Sequence, residues 1–143
     1  MKELKVGMYV RGNYYQYRGK IGKIIKNYNN ELEIAYQDSF VKTTVYSFID
    51  DNFDVNGAQY KTSEDITELI EENDLLEIEY LVRPDEYQVE VLQVIKNFEG
   101  KLYVNAFPRK IFIQDFKTYG VEIKSIVTKE QFESMKYEVK KDE

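Results

Sequence analysis

One short segment that occurs twice does most to limit what this chain can fold into. Ile24-Ile25-Lys26-Asn27-Tyr28 returns as Val94-Ile95-Lys96-Asn97-Phe98, an offset of 70 residues. The same offset sets Glu31-Leu32 against Lys101-Leu102 and Ile34 against Val104. In each copy an apolar run meets turn residues, Asn29-Asn30 or Glu99-Gly100, and then a second apolar run. That is the pattern of a β-hairpin. Leu32, Ile34 and Tyr36 alternate with Glu33 and Ala35, the period of two that gives a strand one buried face. The repeat predicts two β-rich units in a chain of 143 residues. Units near 60 residues are marginal alone, so the two are expected to pack together.

The rest of the chain extends this plan. Leu4 to Val10 reads as an opening strand, Lys20 to Tyr28 as a second, and Phe40 to Phe48 as a Val- and Thr-rich third. Asp50 to Gln59 reads as a loop, with Asn56-Gly57 as turn chemistry. Ser63 is placed to cap a short helix over 64–71, whose Ile66, Leu69 and Ile70 fall at helical spacing. Leu75 to Val82 and Tyr87 to Phe98 read as strands joined by the turn Arg83-Pro84-Asp85-Glu86, with further strands through Ala106, Ile113 and Val127. Thr128-Lys129-Glu130-Gln131 opens a terminal helix reaching about Met135, and Lys136 to Val139 returns as a short strand. The expected domains are a small β-barrel unit over 1–62, a linking helix over 63–72, and a second barrel unit with a terminal helix over 73–143. Mainly β with short helices is the expected fold class, with short strands suiting small, strongly bent antiparallel barrels.

Composition excludes more chemistry than it suggests. The chain has neither cysteine nor histidine, which removes disulfides, thiolate catalysis, zinc-thiolate sites and the commonest general base. Its serines have no histidine partner, and no phosphate-cradling or dinucleotide-binding glycine motif occurs. No enzyme, catalytic residue, cofactor or metal is therefore expected. Apolar runs are far short of the roughly 20 residues that span a bilayer, and no signal peptide is visible, so a cytoplasmic protein is expected.

Charge is unevenly spread. The net value is −6, yet residues 1–30 hold seven bases against the single acid Glu3. Residues 50–90 hold fourteen acids against Lys61 and Arg83. Two candidate surfaces follow. Arg11, Tyr14, Tyr15, Tyr17, Arg18, Lys20 and Lys23 interleave cations with rings, a composition suited to partner contact and to stacking on bases. Glu64, Glu68, Glu71, Glu72, Asp74, Glu77 and Glu79 form an acidic band, either a solvated face or a mimic of a nucleic-acid backbone. It lacks EF-hand spacing. The acidity of the whole chain favours a protein partner over nucleic acid for the basic loop.

Two resemblances refine these expectations. Gly7-Met8-Tyr9-Val10-Arg11 followed by Arg18-Gly19-Lys20-Ile21-Gly22-Lys23 resembles the KOW motif of small Src-homology-type barrels in ribosomal proteins and elongation factors. That likeness implies a small barrel for the first unit, which the repeat extends to two in tandem, and a loop able to contact RNA or the transcription machinery. Residues 123–135, Leu4 to Arg11, and Ile66 to Asp74 together resemble small proteins of phages and prophages of low-GC bacteria. This second likeness implies a mobile-element setting and an anti-defence role, of anti-CRISPR type, exerted by stoichiometric binding to a host protein or nucleoprotein complex. Alternatives are a KOW-like nucleic-acid- or transcription-machinery-binding module and a sponge for a nucleotide signal.

Overall fold

The computed structural model describes residues 4–12, 19–29, 31–37, 39–44, 47–49, 52–55, 58–106, 109–130 and 137–139. Two compact units, Met1–Leu69 and Ile70–Glu143, divide the chain inside the segment read as a linking helix.

Each unit begins with the same turn. The Met8 N–H bonds to the Lys5 carbonyl at 3.2 Å with Gly7 at φ 99°, and the Asp74 N–H bonds to the Glu71 carbonyl at 3.2 Å with Asn73 at φ 76°. Glycine takes a left-handed third position without strain, and asparagine is among the few other residues that visit it. The turn then grips the repeated segment. Gly7 N–H donates to the Ile24 carbonyl and Ile24 N–H to the Met8 carbonyl, at 2.8 and 2.9 Å. Asn73 N–H donates to the Val94 carbonyl and Val94 N–H to the Asp74 carbonyl, at 2.9 and 2.8 Å.

From the first turn run β1 (Tyr9–Gly12), β2 (Ile21–Tyr28), β3 (Glu31–Ala35), β4 (Phe40–Thr44), β5 (Ser47–Ile49), β6 (Asn52–Val55) and β7 (Ala58–Ser63). They form one antiparallel sheet in the order β4-β3-β2-β1-β7-β6-β5. Leu4, Met8, Val10, Ile24, Leu32, Ile34, Tyr36 and Tyr60 make its core. Part of the expected loop at 50–59 is therefore strand: β6 pairs with β7, Val55 opposite Ala58. The expected turn residues Asn56 and Gly57 lie outside the described residues.

The second unit contains β8 (Leu75–Arg83), β9 (Glu86–Gln93), β10 (Ile95–Lys96), β11 (Leu102–Ala106), β12 (Arg109–Phe112), β13 (Glu122–Val127) and β14 (Tyr137–Glu138). One sheet has the order β14-β13-β8-β9 and another the order β10-β11-β12. Strand β8 lies between β9 and β13 as β1 lies between β2 and β7, with matching register. Tyr9 opposes Lys23 and Ser63; Leu75 opposes Gln93 and Val127. Leu76, Ile78, Val94, Val104, Ile111 and Ile126 are fully buried or nearly so.

The two hairpins that carry the repeated segment absorb one residue differently. In the first, a register shift between Ile24 and Lys26 leaves Ile25 as an extra residue, and only two positions separate paired Tyr28 and Glu31. In the second, no shift occurs, and Asn97 N–H reaches the Lys101 carbonyl around a three-residue turn with Gly100 at φ 86°. A strand bulge and a longer turn are alternative places for the same residue.

Two expectations of form are revised. No closed barrel is formed among the described strands. The helix expected over 64–71 is a 3-10 turn, Ile66–Leu69. Ser63 Oγ does accept the Asp65 N–H at 3.1 Å, but the Asp65 carboxylate takes the Thr67 N–H at 3.0 Å. Glu68 N–H bonds back to the Asp65 carbonyl, and the opening turn of the second unit begins at Glu71. These local bonds stop an α-helix from propagating. Residues 131–136, most of the expected terminal helix, lie outside the described residues.

Candidate functional site

The described cations of the basic segment differ widely in exposure, from buried Arg11 to exposed Lys5 and Lys26. Arg11 is 2% exposed, and its guanidinium donates to the Leu69 carbonyl at 3.0 Å, joining β1 to the 3-10 turn. It is a packing residue rather than a contact residue. Lys20 lies over the Tyr36 ring at 5.7 Å and Lys23 over the Tyr9 ring at 5.4 Å, both half-buried. Lys26 pairs with Glu33 at 3.8 Å, and Lys5 with Glu64 at 3.7 Å. Tyr14, Tyr15, Tyr17 and Arg18 lie outside the described residues.

The acidic band is likewise heterogeneous. Asp74 is completely buried: its Oδ2 accepts the Glu71 N–H at 2.8 Å and its Oδ1 the Lys129 N–H at 3.1 Å. It fastens the opening turn of the second unit to the segment after β13. Glu71 meets Lys129 Nζ at 2.9 Å, Glu77 accepts from Ser125 Oγ at 3.4 Å, and Glu79 meets Lys124 Nζ at 3.8 Å. Glu64 and Glu68 are exposed, and Glu72 is half-buried. These carboxylates do not converge. Among the described residues no group of acids is arranged to hold a metal ion, and no helix is long and apolar enough to cross a membrane.

The surface that stands out was not among the expected ones. Ten large hydrophobic residues are exposed among those described, and six of them (Leu75, Leu81, Val82, Tyr87, Val89 and Val91) lie on the β8–β9 ribbon. The cause is an inverted strand. Leu76, Ile78 and Tyr80 turn into the core, and their cross-strand partners on β9 are Leu92, Glu90 and Gln88. Directly opposed residues share a face. Tyr87, Val89 and Val91 must then point outward, opposite Leu81, Glu79 and Glu77, and they are 64%, 51% and 61% exposed. The ribbon turns at Pro84-Asp85, with Asp85 at φ 63°, and its distal part extends past the pairing with β13, which ends at Glu79.

The inner face of the ribbon is polar where an apolar residue is usual. Burial, followed by a hydrogen bond to the Glu90 carboxylate and repulsion from its charge, raises the Tyr80 pKa above the ordinary 10.0, against a smaller opposing effect of Arg109. Gln88 Nε2 also donates to Glu90 Oε1. A period-two reading finds the alternation of Tyr87, Val89 and Val91 with Gln88 and Glu90. It assigns the apolar face inward, so the available signal points the wrong way.

No protein-family profile matches the chain, and neither the comparison with curated proteins nor that with solved structures returned a match.

Proposed function

We propose that this chain is a protein-binding module of phage or mobile-element origin that inhibits a host defence system by direct stoichiometric binding. The observation that carries the reading is the outward apolar row Tyr87, Val89 and Val91 with Leu81 beside it. Uncovered apolar patches on a small protein mark surfaces used for association. The likeness of 4–11, 66–74 and 123–135 to phage and prophage proteins supports the setting. Interference with a nuclease complex or other immune effector, as anti-CRISPR proteins do, follows from that setting.

The finer architecture belongs to the same reading. Two tandem Src-homology-like, KOW-like units, open rather than closed into barrels, are supported by the shared opening turn and the shared register of β1-β2-β7 and β8-β9-β13. That plan also favours a second reading, a KOW-like module binding nucleic acid or the transcription machinery. The burial of Arg11 and the paired state of Lys5 and Lys26 weigh against its phosphate-contact version.

Affinity purification of the tagged chain from a bacterial host in gentle buffer tests the first reading. The expected result is one stoichiometric partner drawn from a defence complex, with infection restored in cells that express the chain. Recovery of no partner sinks it.

A further inference from the structure

We infer that the free edge of β9 takes up an extended strand from the partner, and that this strand alternates basic with β-branched residues. The inference rests on the protein-binding reading and names how the contact is made.

Backbone geometry supplies the first half of the argument. Val94 N–H donates to the Asp74 carbonyl at 2.8 Å, continuing the register in which Leu75 opposes Gln93. Hydrogen-bonded and non-hydrogen-bonded pairs alternate along an antiparallel ladder. The backbone groups of Leu92, Glu90 and Gln88 therefore face β8, and those of Val91, Val89 and Tyr87 face the other way. β9 is the last strand of its sheet, and although β11 comes close to it, no strand besides β8 pairs with Tyr87, Val89 or Val91 among the described residues. Of the edge strands in the second unit, β14 and β10 have two residues and β12 four, against eight in β9. A long edge without lysine or proline, with the bulge of its ladder on β8 between Leu81 and Arg83, is a template for strand addition.

Side chains supply the second half. A strand laid against β9 sets residues beside Tyr87, Val89 and Val91 on one face and beside Glu86, Gln88 and Glu90 on the other. The first row calls for β-branched or aromatic residues, the second for lysine or arginine. A second copy of this chain fits poorly. Residues 75–93 hold Glu77, Glu79, Asp85, Glu86 and Glu90 against Arg83 alone, and two such ribbons repel one another.

The test uses the full chain and three fluorescent seven-residue peptides: alternating lysine and valine, the same residues with lysines and valines in separate blocks, and the alternating peptide N-methylated at alternate positions. The alternating peptide should bind at least tenfold more tightly than either control. Val89→Pro should abolish the preference, because it deletes an N–H that faces the edge and leaves the β8–β9 ladder bonds in place. Circular dichroism verifies that this variant is folded, and the N-methylated peptide tests the same contact on the unaltered protein. Equal binding of all three peptides overturns the inference, as does a dimer in sedimentation that Val89→Pro dissolves. A host partner that is retained in full by Val89→Pro overturns strand addition and leaves the protein-binding reading standing. Peptide selectivity without any host partner upholds the edge and removes that reading.

Discussion

At the residue scale, the two units make different side chains serve one backbone position. A Cβ on Gly22 would lie 2.8 Å from Ile34 Cγ2, 2.9 Å from Tyr36 Cδ1 and 3.0 Å from the Ala35 carbonyl oxygen. The position 70 residues on is Leu92, and there Ile34 and Tyr36 are replaced by the smaller Val104 and Ala106. Bulk has moved from one strand to its neighbour. Gly22→Ala should cost about 1–3 kcal/mol in urea unfolding, and Tyr36→Ala in the same chain should not restore it, because the Ala35 oxygen still blocks the methyl. A second prediction concerns Tyr80. Its pKa is raised in the folded state by burial and by Glu90, so the folded protein holds this proton more tightly than the unfolded chain. The stability it contributes is complete below the unfolded pKa, near 10, and is lost as pH rises through the folded value. Unfolding followed upward from about pH 10 should show that loss in the natural chain. In Tyr80→Phe the loss attributable to this group should vanish; an unchanged pH profile removes Tyr80 as its source.

At the element scale, the hairpins were legible because two local signals agree in each: alternation along the strands and turn residues between them. The face that each strand buries was less so. β8 and β3 bury the apolar row that alternation assigns inward, whereas β9 turns its apolar row outward, and nothing within β9 itself distinguishes the two cases. The segment Asn52–Val55 is too short and polar to read as a strand without its partner β7. Charged residues show the same limit. Arg11 and Asp74 sit among solvated charges in the sequence, and their burial is set by partners 58 and 55 residues away. Asp74 offers the sharper test, since it holds two elements together through two backbone N–H groups. Asp74→Ala leaves the N–H groups of Glu71 and Lys129 without that acceptor and should cost about 2–4 kcal/mol in equilibrium unfolding. Glu71→Ala removes a half-exposed ion pair to Lys129 and should cost less than about 1 kcal/mol. Equal costs would show that the carboxylate bonds are not what fastens the turn.

At the scale of the whole molecule, the charge asymmetry has a different meaning from the one its distribution along the chain suggests. A stretch with seven bases and one acid looks like a phosphate-binding surface. In the fold, Lys5 and Lys26 face acids, Lys20 and Lys23 lie over rings, and Arg11 is buried. On the β8–β9 ribbon Glu79 meets Lys124 and Glu86 meets Arg83, yet acids outnumber bases there, and the chain as a whole carries −6. The long-range field of such a molecule attracts cations, and its reach is set by salt, about 10 Å at 0.1 M and 30 Å at 0.01 M. A basic partner strand should therefore associate roughly tenfold faster at about 0.01 M than at 0.15 M salt. Its dissociation should change little, because release breaks edge hydrogen bonds and apolar contacts that salt scarcely screens. Stopped-flow mixing of the full chain with the alternating lysine–valine peptide separates the two rates. An association rate indifferent to salt would mean that the acids beside the edge do not steer the strand. A dissociation rate that rises in step with salt would mean that charge holds the complex together, and the apolar row of β9 would lose its place at the centre of the contact.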